Sequence, residues 1–273
     1  MIQTTQTKLL IILSLFITSI SFAQLKAVKG KTTYNFWINL PEKSILENKP
    51  PVLISLHGRS LSGTDLNRVK RYGIIRGIER GRKIPAIVIA PQLPKGPWDP
   101  KKVIEILDYV QKKYQIDRNR VYVAGMSLGS YGTMDVVGTY PDRIAGAVSI
   151  CGGGNTKMAC KIAEVPVWVL HGTADRAVKI SESEKIVNAV KACNPKAPIT
   201  FTRIKGGTHG SVENLFHKDA TYEWLFKQNK KNPELAFDIP LEFQNDEFDE
   251  EPEETETKLE EIQQPINTET TPN

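Results

Sequence analysis

Seven short apolar runs recur along this chain and limit its fold more than any other feature. They occupy residues 34–40, 51–57, 86–90, 120–125, 144–151, 165–171 and 199–204. Several are continuous hydrophobic stretches, of the kind buried on both faces of a sheet. Helical patterns fit between most of them. The clearest covers 99–114, where Asp99 serves as N-cap, Pro100 takes the first helical position, and Val103, Ile106, Leu107, Val110 and Tyr114 share one face. Strand and helix in alternation, without an internal repeat, predict an α/β fold. Its central sheet is mostly parallel, with helices on both faces, in one domain.

The two ends of the 273 residues read differently. In 1–23 a single charge, Lys8, precedes an apolar run at 9–20, and Ser21-Phe22-Ala23 offers small residues for cleavage. This is the pattern of a secretory signal, too short to span a bilayer comfortably. A secreted or periplasmic protein is therefore expected, with no membrane span once the signal is cut. From 234 to 273 there are fourteen acidic residues and one lysine, a composition that reads as a disordered acidic tail. The whole chain carries +5, the tail −13 and the leader +1, so the body at 24–233 carries +5 + 13 − 1 = +17. Such a body either holds ordinary solvated charge or attracts anionic surfaces and polymers, with the tail as a partial mask. The chain shows no recognised nucleic-acid-binding module, and no nucleic-acid partner is expected.

The run at 120–125 stops at Gly125-Met126-Ser127-Leu128-Gly129. Flanking glycines after a strand let the backbone turn sharply and hold Ser127 above the sheet as a nucleophile. A serine hydroxyl needs an imidazole to take its proton, and the imidazole needs a carboxylate to fix its tautomer. Later in the chain "HGTAD" places Asp175 just past the run at 165–171, and "KGGTHG" places His209 just past the run at 199–204. All three residues thus fall outside the carboxyl ends of strands, where open α/β sheets bind ligands. The backbone amides of Leu128 and of Arg59, in "LHGRSLSG", are the expected donors to an oxyanion, with Gly58 allowing close approach. His57 and His171 each end a run in a His-Gly pair, where packing beneath the site is the expected role.

Residues 34–228 resemble the α/β-hydrolase superfamily. The motifs that carry the likeness are "LHGRSLSG", "VYVAGMSLGSYGTMDVVGTYPDRIAGAVSICGGG", "VPVWVLHGTAD" and "GGTHG". Within it the chain is similar to secreted esterases of the poly(3-hydroxybutyrate) depolymerase-like and feruloyl or acetylxylan type, and to relatives described as predicted peptidases. Ser130, after the last motif glycine, departs from the small residue that many relatives carry there. The resemblance implies a serine esterase that passes through an acyl-enzyme, with Ser127, Asp175 and His209 as its triad and no cofactor. It implies a substrate-side aromatic at Trp98, in "KGPWDP". Val165 follows Cys151 by 14 positions, which leaves no room for a large cap domain and suits esters carried on something bulky, such as a polysaccharide. A serine peptidase would share the triad, and a non-enzymatic binding protein would be expected to lack part of it.

Three cysteines leave one odd. Cys160 and Cys193 flank the Asp175-bearing segment and are expected to pair, closing it with a disulfide. Cys151 then stays a small buried hydrophobe. No Cys/His pair has metal-ligand spacing, so no metal is expected.

Overall fold

The computed structural model describes residues 24–231. The expected leader at 1–23 and the expected acidic tail at 234–273 lie outside the described residues. Eight strands form one sheet among them: β1 (Gln24–Val28), β2 (Phe36–Leu40), β3 (Val52–Leu56), β4 (Ile87–Pro91), β5 (Val121–Met126), β6 (Gly146–Ile150), β7 (Val167–Gly172) and β8 (Ile199–Ile204). Their order is β1-β2-β4-β3-β5-β6-β7-β8. β1 and β2 run antiparallel at one edge, and every pairing from β4 to β8 is parallel. Each of the seven apolar runs overlaps one strand, and β4, β5 and β7 each extend one residue past theirs. The eighth, β1, is a short edge strand with an exposed Lys26, too polar to register as a strand by its apolar content.

Seven α-helices accompany the sheet among the described residues: α1 (Lys43–Leu46), α2 (Gly73–Glu79), α3 (Pro100–Lys113), α4 (Leu128–Thr139), α5 (Ala159–Ile162), α6 (Ser181–Cys193) and α7 (Asp219–Lys227). α3 follows its sequence signals closely. Asp99 Oδ1 accepts the Lys101 amide at 3.0 Å, and Val103, Ile106, Leu107 and Val110 are buried. The alternation of side chains along each strand sends neighbours to opposite faces and so builds two cores. On one face Ile54, Val123, Ala147 and Val169 meet α3, α4, α5 and α6. On the other Leu53, Tyr122, Val148 and Trp168 meet α2 and α7. The stretch between β6 and β7 packs α5 against α4 and α6, with no large cap inserted there.

After β3 the chain places β4 on one side and β5 on the other. The order reverses between β3 and β5, the switch point at which open α/β sheets form a crevice outside the strands' carboxyl ends. Both the loop at 57–62 and Ser127 fall there. No helix among the described residues is long and apolar enough to cross a membrane.

Candidate active site

The turn from β5 to α4 is sharp because two glycines permit it. A methyl added at Gly125 would stand 2.2 Å from the Gly129 carbonyl oxygen, and one at Gly129 would stand 1.9 Å from that of Leu56. Between them Ser127 holds φ 58° and ψ −121°, a conformation that a side chain rarely adopts and that costs of order 1–3 kcal/mol. The strain is held by bonds on both sides. The Ser127 amide donates to the Ile150 carbonyl at 2.8 Å, and the Ser127 carbonyl accepts the amides of Ser130 (2.9 Å) and Tyr131 (3.2 Å). Ser130 is buried, with its Oγ 2.5 Å from Ser149 Oγ, so this departure from the family pattern ties α4 to β6.

Asp175 and His209 come together at the far side of the crevice. The loops after β7 and β8 are stitched by the Ala174 amide on the Gly207 carbonyl (3.0 Å) and the Gly206 amide on Thr173 Oγ1 (2.9 Å). His209 Nδ1 then lies 2.6 Å from Asp175 Oδ2. The Asp175 side chain is 0% exposed and that of His209 is 26% exposed. Asp175 Oδ1 accepts the amides of Ala177 (2.8 Å) and Val178 (2.9 Å). Burial works to raise the Asp175 carboxyl's pKa. The Val178 amide and the hydrogen bonds from His209 and Cys151 outweigh it and hold the group below the usual carboxylate range. An ionised acid facing Nδ1 favours the His209 tautomer with its proton on Nδ1 and leaves a lone pair on Nε2.

Ser127 reaches this pair through the turn after β6. The Cys151 thiol donates to Asp175, and a methyl on Gly152 would lie 2.9 Å from the Ser127 carbonyl oxygen. Ser127 Oγ and His209 are not hydrogen-bonded to each other among the described residues, a bond that is often long where no ligand tightens a site. Cys151 Sγ and ligand atoms of Asp175 and His209 lie within 4.8 Å of one another, near enough to suit a cation by distance alone. Burial pushes the thiol's pKa up, so it keeps its proton and donates it to Asp175. The protonated thiol thus meets Asp175 as a hydrogen-bond donor, not as a thiolate ligand.

The loop after β3 lies against the elbow, where a methyl on Gly58 would be 3.4 Å from Ser127 Cβ and 2.9 Å from the Tyr72 hydroxyl. Among the described residues neither the Arg59 nor the Leu128 amide is bonded to a backbone acceptor. His57 holds this loop from below, with Nδ1–H donating to the Gly58 carbonyl (2.8 Å) and Nε2 accepting the Leu93 amide (3.1 Å). Burial lowers its pKa to about 4, so the ring is neutral.

Trp98 takes a different place from the substrate-side platform. It is 3% exposed and buried under the loop, its Nε1–H donating to the His57 carbonyl at 3.2 Å and its ring edge-on to the His57 ring at 5.0 Å. It packs directly on Gly132 of α4, where a methyl would meet Trp98 Cδ1 at 2.6 Å. Its work is to support β3's loop on α4. Cys160 and Cys193 form a disulfide, and Cys151 is a buried free thiol with φ 49°. The contacts of Cys151 and His171 with Asp175 are the part of the site that sequence reading missed. The four-residue spacing within "HGTAD" was the available signal for His171.

Comparison with solved structures finds this architecture in a crystal structure of a thermostable esterase. The two agree with a TM-score of 0.62 and 25% identity over 77% of this chain and 64% of that one. The chain has the α/β-hydrolase fold. Within it, residues 99–222 match the phospholipase/carboxylesterase family model. A stretch of 91 residues, 33% of the chain, is 34% identical to a bifunctional acetylxylan esterase/xylanase from Neocallimastix patriciarum. Another of 59 residues, 22% of the chain, is 37% identical to poly(3-hydroxyalkanoate) depolymerase C from Paucimonas lemoignei. The chain spans 13% and 14% of the length of these two proteins.

Proposed function

We propose that this α/β-hydrolase is a secreted serine esterase that cleaves carboxylic esters through an acyl-enzyme. The observation that carries the reading is the 2.6 Å contact between His209 Nδ1 and the enclosed Asp175, across the crevice from a strained Ser127. Ser127 Oγ attacks the ester carbonyl while His209 Nε2 takes its proton. The amides of Arg59 and Leu128 bind the oxyanion, and His209 returns the proton to the departing alcohol. Water, activated by the same imidazole, then releases the acid and frees Ser127. Asp175 stabilises the imidazolium in both steps.

The substrate class is esters carried on a polysaccharide, of acetyl or feruloyl type. Two things support it: the 34% identical stretch shared with an acetylxylan esterase/xylanase, and the lack of a large insertion between β6 and β7. The leader-like segment at 1–23 supports export. A panel of p-nitrophenyl acetate, feruloyl esters, acetylated xylan and peptidyl anilides tests the reading. Turnover of the esters without the anilides is the expected result, and turnover of the anilides alone would make the chain a peptidase.

A further inference from the structure

Asp175 faces two imidazoles, and the triad uses only one of them. His171 at the end of β7 is 0% exposed, and its Nε2 lies 3.0 Å from the Val178 carbonyl and 3.3 Å from Asp175 Oδ2. Both are acceptors, so Nε2 must carry a proton. On the other side of the ring, Nδ1 lies 2.8 Å from Ser183 Oγ, and that hydroxyl reaches the Gly152 carbonyl at 2.7 Å. In the neutral ring Ser183 turns its proton to Nδ1. In the protonated ring Nδ1–H donates to Ser183 Oγ, and the hydroxyl proton goes to Gly152. Either way the N–H toward Asp175 and Val178 is kept.

We infer that His171 is a positioning residue for the acid of the triad, holding the loop from Asp175 to Val178 in the one arrangement that aims Oδ2 at His209. The inference rests on the esterase reading of the site. Its geometry closes a ring of bonds: His171 Nε2–H holds the Val178 carbonyl while the Val178 amide donates to Asp175 Oδ1 at 2.9 Å. On its opposite edge the same imidazole packs on Ser183, whose Oγ lies 2.7 Å from the carbonyl oxygen of Gly152, a residue set against Ser127. One buried ring thus spans the acid loop and the nucleophile's elbow. The titratable groups facing Asp175 are Cys151 from the end of β6, His171 from β7 and His209 from the loop after β8. Those facing His171 are Asp175 and, through the field, His209. Burial lowers the His171 pKa and outweighs the raising effects of the Val178 carbonyl and Asp175, so the ring is neutral at working pH.

Two substitutions separate this role from packing. His171→Gln keeps an N–H near the Nε2 position, whereas His171→Asn keeps only the Nδ1 side. With an ester substrate, His171→Asn should lower kcat about three- to tenfold and raise the midpoint of the acid limb of kcat/KM by about half a pH unit, because Asp175 loses a donor and holds the His209 proton harder. His171→Gln should restore the wild-type profile. A folded His171→Asn enzyme with the wild-type pH profile, or equal behaviour of the two variants, overturns the inference. The unaltered protein provides a second reading by ¹⁵N histidine NMR at neutral pH. A proton on His171 Nε2 is expected, and a proton on Nδ1 alone contradicts it. These outcomes stand apart from failure of the esterase reading, which would show as activity surviving Ser127→Ala.

Discussion

His209 Nδ1 meets Asp175 Oδ2 at 2.6 Å, and the two differ sharply in exposure, with the acid at 0% and the imidazole at 26%. An enclosed carboxylate that accepts two backbone amides besides His209 stays ionised and fixed, while the base can still reach a substrate. The triad should therefore fail unevenly. Ser127→Ala and His209→Ala should each lower kcat by about 10⁵–10⁶-fold, and Asp175→Asn by about 10⁴-fold. Steady-state kinetics with p-nitrophenyl acetate measure this. Near-full activity in Asp175→Asn would mean that another carboxylate orients His209.

The oxyanion loop gives a second test through Gly58. A methyl there meets the Tyr72 hydroxyl at 2.9 Å and Ser127 Cβ at 3.4 Å, so either that hydroxyl or the loop carrying the Arg59 amide must give way. Gly58→Ala should reduce kcat by about 10²-fold with a small change in KM. Adding Tyr72→Phe removes the nearest obstacle and should recover part of the loss. A double variant no better than the single one would place the obstruction elsewhere.

Acid should destabilise the fold through His57. Its folded pKa is lowered from 6.5 to about 4, with burial as the largest cause. As pH falls below 6.5 the unfolded chain takes the proton and the folded chain does not. The stability is thus complete above that pH and is lost progressively down to about pH 4. From His57 alone the loss should reach about 2 kcal/mol at pH 5. Urea unfolding at pH 7 and pH 5 measures it, and His57→Gln should flatten the slope. Equal stability at the two values would show that His57 is protonated in the fold.

The disulfide between Cys160 and Cys193 closes 33 residues that include Asp175. Replacing both by serine should cost about 3–4 kcal/mol by loop-closure entropy. The melting temperature of the double variant, with and without reductant in the parent, checks this. No change in the parent on full reduction would mean that the closed loop adds nothing.

Where local sequence carried the physics, the fold was readable before the structure. Residues 165–170 are apolar throughout because β7 is covered on both faces, and "GTAD" marks the turn at its end. β1 was not readable, because an edge strand buries too little to show an apolar run. Trp98 misled for a related reason. Its neighbours Lys95, Gly96, Pro97 and Asp99 look like an exposed loop, yet the gap left by Gly132 on α4 draws the indole inward. The contact of His171 with Asp175 lies within "HGTAD", whose four-residue spacing carries it. That of Cys151 depends on β6 and β7 lying side by side, which no spacing within one segment contains.

The most direct test of the account is to label the protein with a fluorophosphonate and map the adduct by mass spectrometry. The account predicts one adduct, on the peptide carrying Ser127, absent in Ser127→Ala and strongly slowed in His209→Ala. An adduct on any other residue, or undiminished labelling of Ser127→Ala, would contradict it.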